Sequence, residues 1–251
     1  MKTKLIIFAL LSLAAAAAAV TFFMQFNAIA NAASVEGDEI NQLFRILLAI
    51  SGVVFAVVVT GIILAVAFFR RRRGERGGGL SFHDIPPLEV AWTVIPLLIV
   101  IGISVYSGLM LNRMTEAAPG QPEVNVQVTA YRYNFAFEYP ELGVRSMSLM
   151  LPVDQRVHLT FISLDVIHSF WVPEFGTSQD ILPGSTTELR ITPNETGSYT
   201  ILCSQLCGPG HTDMTAPCTV MTGLDFESWV AAQPRVPVST ITAPASEGHQ
   251  H

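Results

Sequence analysis

Cys203-Ser204-Gln205-Leu206-Cys207-Gly208-Pro209-Gly210-His211-Thr212-Asp213-Met214 is the stretch whose reading decides this chain. It brings together two thiols, an imidazole and a thioether, and Gly208, Pro209 and Gly210 bend the backbone so that those side chains can converge. Such a donor set describes a soft-metal loop. Thiolate and thioether favour copper while imidazole suits zinc or copper equally, so Met214 tips the choice away from a structural zinc site. On the loop alone, a zinc knuckle and a redox cysteine pair stay open, although zinc sites seldom recruit Met and redox pairs more often use Cys-x-x-Cys.

A second stretch lies upstream. Residues 165–184 contain Asp165-Val166-Ile167-His168-Ser169-Phe170-Trp171-Val172-Pro173, which puts His168 at a strand end beside aromatics that would shield a metal from water. A mononuclear blue-copper site needs one Cys, two His and a weak axial Met. Here there is one thiolate too many. Two thiolates could bridge two copper ions, with His168 and His211 terminating one metal each and Met214 and a backbone carbonyl as weak ligands.

These runs resemble subunit II of the haem-copper cytochrome c oxidases, the carrier of the dinuclear copper centre called CuA. The 165–173 run, the Asp180–Gly184 run and the Cys203–Met214 loop match that family in order and spacing, and the resemblance covers roughly residues 40–232. It implies bridging thiolates from Cys203 and Cys207, imidazole ligands from His168 and His211, and a weak thioether from Met214. The backbone carbonyl of Gln205 would serve the second copper. Many relatives carry Glu at that position, whose carboxylate also holds magnesium at the interface with subunit I. A neutral amide is a poorer ligand for a hard cation, so the magnesium is left open.

The remaining composition fits a membrane component. Half the residues are hydrophobic, only 14% are charged, and the mean hydropathy is +0.45. Up to residue 110, eight basic residues face six acidic ones; beyond it, six arginines and no Lys face fourteen acidic residues. That acidic second half would steer a basic partner, or serve simply for solubility.

Lys2 and Lys4 precede an uncharged Ala-rich run that ends in Ala30-Asn31-Ala32, the marks of a secretory signal peptide. Cleavage is expected near Ala32, with residues 1–32 as an uncleaved extra transmembrane helix the alternative. A two-helix hairpin is expected over 40–111. Ile46 to Phe69 would extend about 36 Å at ~1.5 Å per residue, enough for a hydrocarbon core of about 30 Å. Arg70, Arg71, Arg72 and Arg73 stop that span and mark its cytoplasmic side. Residues 70–87, with Gly77-Gly78-Gly79 and His83, read as a cytoplasmic loop. A second span follows over 90–111, with Glu89 as an interfacial residue and Pro96 tolerated inside.

From about residue 112 to 232 short alternating runs, punctuated by Pro and Gly, argue a β-sandwich outside the cytoplasm. The resemblance makes it a cupredoxin-like Greek-key sandwich, so the whole chain reads as a membrane-anchored all-β protein. Strand-like runs cover 185–192, 197–203 and 217–222. His158 points away from its apolar neighbours and reads as a surface histidine, and Cys218 as a buried hydrophobe without a disulfide partner. Tyr131, Tyr133, Phe135, Phe137 and Tyr139 would share one face of a strand. Relatives usually carry Trp here, one of which lies above CuA and receives the electron; aligned through Glu138-Tyr139, that position falls on Tyr133. The 233–251 tail reads as disordered, and Cys-x-x-Cys-His, which a fused haem c domain requires, is missing.

The sequence holds no catalytic triad, phosphate loop or nucleic-acid module. The resemblance therefore implies an electron-transfer subunit integral to a bacterial plasma membrane, with its copper domain on the periplasmic side. It would take electrons from cytochrome c or a similar small donor and pass them to the haem-copper catalytic subunit I, with membrane lipid and other oxidase subunits as neighbours. An electron-accepting subunit of a CuA-type nitric oxide reductase and a membrane-anchored copper-delivery protein are the alternatives. Quinol-oxidising relatives have lost the copper ligands, all five of which are present as side chains here.

Overall fold

The computed structural model describes residues 2–70, 74, 84–117, 120 and 122–235. Most of the expected 70–87 loop, including His83, and the tail from 236 onward lie outside the described residues. The chain divides into two compact units, one of residues 1–28 and 41–110 and one of 29–40 and 111–251.

Three helices among the described residues are long and apolar enough to cross a membrane, α1 (Lys2–Phe23), α2 (Val35–Phe69) and α3 (Pro86–Thr115). The expected hairpin corresponds to α2 and α3, and α1 is an additional helix. Ser34 caps α2, its Oγ accepting the Gly37 N–H at 2.9 Å, and Glu36 and Asp38 place negative charge at the positive end of the helix dipole. α3 starts on a proline, whose missing N–H costs nothing in the first turn, and Glu89 reaches back to accept the Ile85 N–H at 3.3 Å. At its far end, Arg156 donates to the carbonyls of Arg113, Met114 and Glu116, and Arg190 to that of Thr115. Glu123 pairs with both guanidinium groups at 3.3 Å.

The second unit is a cupredoxin-like sandwich of two five-stranded sheets. The first sheet takes the order β3 (Val144–Ser146), β2 (Asn134–Tyr139), β1 (Val124–Tyr131), β5 (Val157–Ser163), β8 (Thr187–Ile191). The second runs β4 (Leu149–Pro152), β10 (Thr215–Met221), β9 (Gly197–Leu202), β6 (His168–Val172), β7 (Thr177–Ile181). β1 lies parallel to β5 and β4 parallel to β10, which requires the chain to cross between sheets rather than meander. Val126, Val128, Phe135, Phe137, Leu159 and Phe161 fill the core from one sheet, and Leu149, Leu151, Phe170, Val172 and Ile201 from the other. The Phe161 and Phe170 rings meet across it at 5.3 Å. Removing such side chains from water is worth about 1.5–3 kcal/mol each.

Two sequence expectations change. The five alternating aromatics do not share one strand, because β1 ends at Tyr131 and pairs with Asn134 across a two-residue turn of Arg132 and Tyr133. Of the five, Phe135, Phe137 and Tyr139 are wholly buried in the core, where the Tyr139 hydroxyl donates to the Met150 carbonyl and accepts its N–H, both at 2.8 Å, and Tyr133 packs partly buried against it. His158 is half-buried rather than a free surface side chain, its ring nitrogens bonded to Asn125 and Glu188. Cys218 is wholly buried in the core, and all three cysteines are free thiols. A last helix, α4 (Gly223–Ala232), is capped by Thr222 and packs Phe226 and Trp229 on Tyr139.

Candidate metal centre

β9 and β10 are adjacent antiparallel strands, and residues 203–214 are the excursion between them. The excursion is pinched shut at its base, where Leu202 pairs with Thr215 and the Cys203 N–H donates to the Met214 carbonyl at 3.1 Å. Gly208 adopts a φ of +140°, a conformation that L side chains rarely take, and lets the chain double back. A 3-10 turn over His211–Asp213 then returns it to β10. β6 neighbours β9 in the same sheet, so His168 at its first position arrives beside Cys203. The Ser204 hydroxyl donates to that of Ser169 at 2.9 Å and ties the loop to β6.

The donor atoms converge. The sulfurs of Cys203 and Cys207 stand 3.8 Å apart, and a nitrogen of His168 completes a group whose ligand atoms all lie within 4.8 Å of one another. Cys207 Sγ is 3.6 Å from His211 Nδ1 and 3.7 Å from Met214 Sδ, while Cys203 Sγ is 3.3 Å from the Gln205 carbonyl oxygen. His168, Cys203, Cys207 and Met214 are buried, whereas Gln205 and Leu206 form an exposed lip. The structure thus brings the six expected metal-site residues into one cluster.

Asp165, given no role from sequence, orients the histidine. His168 Nε2 lies 2.7 Å from Asp165 Oδ1, while His168 Nδ1 is buried without a hydrogen-bond partner. A carboxylate on one ring nitrogen fixes the tautomer that leaves the other nitrogen bare, the usual arrangement of a metal-binding histidine. The same carboxylate accepts the N–H groups of Val166 and Arg132. Burial pushes the Asp165 pKa up, but the hydrogen bonds from His168, Val166 and Arg132 outweigh it and hold the group below the ordinary carboxylate value. An Asp three residues before a candidate ligand was the available signal, and only the folded turn shows that it reaches back.

Burial, reinforced by the hydrogen bond and charge of Cys203, pushes the Cys207 thiol up to about 11. The pocket without an ion therefore holds protons, which a soft cation would displace. Three sulfurs, two imidazoles and a carbonyl suit copper, and the bare His168 nitrogen supplies the site's unsatisfied donor. Tyr133 covers the loop from the other sheet. A Cβ on Gly210 would stand 2.7 Å from the Tyr133 ring and one on Gly208 would stand 2.6 Å from its hydroxyl, so only glycine lets the ring lie this close.

Two sequence profiles match the chain, those described as cytochrome c oxidase subunit II, periplasmic domain, over residues 138–221 and cytochrome c oxidase subunit II, transmembrane domain, over 19–110. Cytochrome c oxidase subunit 2 of Thermostichus vulcanus is 31% identical over 270 aligned positions, which cover 87% of this chain and 82% of that one. The chain belongs to the cytochrome c oxidase subunit II family. Quinol oxidase subunit 2 of Bacillus spizizenii is 30% identical, with 74% of this chain and 60% of that one aligned. Among solved structures, the periplasmic domain of subunit II of cytochrome oxidase from Bradyrhizobium japonicum is similar at 25% identity, covering 48% of this chain and 96% of that one with a TM-score of 0.44. With its apolar helices, this family member is anchored in a membrane and holds its cysteine-bearing domain on the extracytoplasmic side.

Proposed function

We propose that this chain is the electron-accepting subunit of a cytochrome c oxidase, holding a dinuclear CuA centre on His168, Cys203, Cys207, His211, Met214 and the Gln205 carbonyl. The observation that carries this reading is the buried cluster of Cys203, Cys207 and His168, closed by His211 and Met214. A copper pair bound there supplies one-electron chemistry with the charge spread over two metals and two sulfurs. The protein's part is to keep that charge change from demanding rearrangement. The β9–β10 pinch, the Ser169–Ser204 bond and the Asp165–His168 bond fix the donors before any metal arrives.

Electrons would come from cytochrome c or a similar small donor docked over Tyr133 and leave toward the haem-copper catalytic subunit, which reduces oxygen. Tyr133 is suited to the first role by its contact with Gly208 and Gly210, whose outer chain neighbours are Cys207 and His211. The complete set of sulfur and imidazole donors favours this reading over a quinol-oxidising one. Magnesium at Gln205 is not part of the proposal, since the neutral side chain offers little to a hard cation.

The test is copper content and electron paramagnetic resonance of the full chain purified in detergent. Two coppers sharing one unpaired electron, with the signal abolished in Cys207→Ser, is the expected result. A single localised copper, or zinc retained in preference, would sink the proposal.

A further inference from the structure

We infer that α1 remains in the working protein as a third membrane-crossing helix seated on α2, and that residues 24–33 are a folded strap rather than the end of a removable leader. Contacts along the whole segment support this. A Cβ on Gly52 would stand 2.9 Å from two atoms of the Phe23 ring and 3.1 Å from the Ala19 Cβ, so the helices touch where α2 has no side chain. Nine residues on, Gly61 lies under Phe8, at 3.6 Å by the same construction, and Ala56 between them in sequence is buried. The order of contacts, Phe23 with Gly52 and Phe8 with Gly61, makes the two helices antiparallel. Gly52 and Ala56, four residues apart, share one face of α2, and small residues at that spacing are how apolar helices approach closely in lipid.

The strap is tied at each step. Arg45, the charge at the mouth of α2's apolar stretch, donates through Nε to the Phe26 carbonyl at 3.2 Å and through Nη2 to the Asn27 side chain. A guanidinium at membrane level needs such acceptors, and cutting after Ala32 would remove both. Ile29 packs on Gly176, and the Ala32 methyl lies 3.4 Å from where a Cβ on Gly37 would be. Asn31 takes the left-handed conformation that closes this turn, with a φ of 55°. The Ala33 N–H donates to the Glu174 carbonyl at 2.8 Å and its carbonyl accepts from Asn194.

A cut before Ala33 would replace that amide with an ammonium group in a buried position, beside the positive end of the α2 dipole. One feature would favour such a charge, the buried Glu174 Oε2, which has no hydrogen-bond partner. The experiment must therefore read the terminus directly.

The intact mass of the chain extracted from membranes should include α1 and the strap that follows it. A chain that starts anywhere between Met24 and Ala33 overturns the inference. A photoreactive benzophenone side chain in place of Phe8 should cross-link on irradiation to α2 around Gly61, since the Phe8 ring lies 3.6 Å from where a Cβ on Gly61 would be. A full-length chain in which no α1–α2 cross-linked peptide is found would retain the helix but refute its seat. Copper enters neither measurement, so the result stands apart from the fate of the proposed electron-transfer role.

Discussion

The two sheets of the sandwich bury comparable cores but carry different chemistry. His168, Cys203 and Met214 sit at the ends of β6, β9 and β10, three neighbouring strands of the second sheet. The first sheet contributes no sulfur; it supplies Phe135, Phe137, Phe161 and Tyr139 to the core, and the Tyr133 turn that covers the metal loop. Donors drawn from adjacent strands of one sheet inherit their spacing from its hydrogen-bond ladder, so the site does not depend on how the sheets slide against each other. Metal affinity and fold stability should therefore be separable by mutation.

The largest break between the two is expected from Cys207→Ser. Its sulfur is the hub, 3.8 Å from Cys203 Sγ, 3.6 Å from His211 Nδ1 and 3.7 Å from Met214 Sδ. Copper binding as a pair should be lost outright, while circular dichroism and the melting temperature of the metal-free chain stay near wild type. Loss of fold along with copper would show that the loop supports the sandwich, and the comparison would fail.

Phe161→Ala probes the other sheet. The side chain is wholly buried against Phe170, and truncating a core Phe costs about 3–5 kcal/mol in cavity and transfer terms. Denaturant unfolding should register that loss, and folded material should still take up two coppers. Asp165→Asn sharpens the boundary from the metal side. Losing the carboxylate behind a ligating histidine typically weakens metal affinity about 10–100-fold, and competition with a copper chelator would read it. An unchanged affinity would mean that His168 is oriented by packing alone.

The separation also explains what could be read from sequence. Thiols, imidazoles and Met214 stand close along the chain, and local spacing announces them. β8, β9 and β10 were legible because their apolar residues alternate between turn residues. The aromatic run misled, because Tyr131 to Tyr139 keeps a period of two straight through a hairpin, and periodicity carries no mark of a two-residue turn without Gly or Asn-Gly. Asp165 went unassigned since its partner depends on a fold-back, and the Glu36–Thr192 bonds that fix the first turn of α2 join residues 156 positions apart.

The smallest expected effect distinguishes the site's two titrating groups by the sign of their pH dependence. In the folded chain Asp165 is held below its ordinary value of 3.8, so its contribution to stability is present above that value and is lost as the pH falls through the depressed one. Cys207 is shifted the other way, from 9.0 up to about 11, so its contribution in the metal-free chain is complete below pH 9 and disappears as the pH climbs toward 11. Melting temperatures of metal-free wild type and Asp165→Asn should converge on acidification below about pH 4, and wild type should fall below Cys207→Ser on the alkaline limb, where only the thiol ionises. Copper loading cancels the second effect, because bound thiolates no longer hold protons. If loading left the alkaline limb unchanged, Cys207 would not be a ligand, and the division between a metal-bearing sheet and a supporting sheet would have to be redrawn.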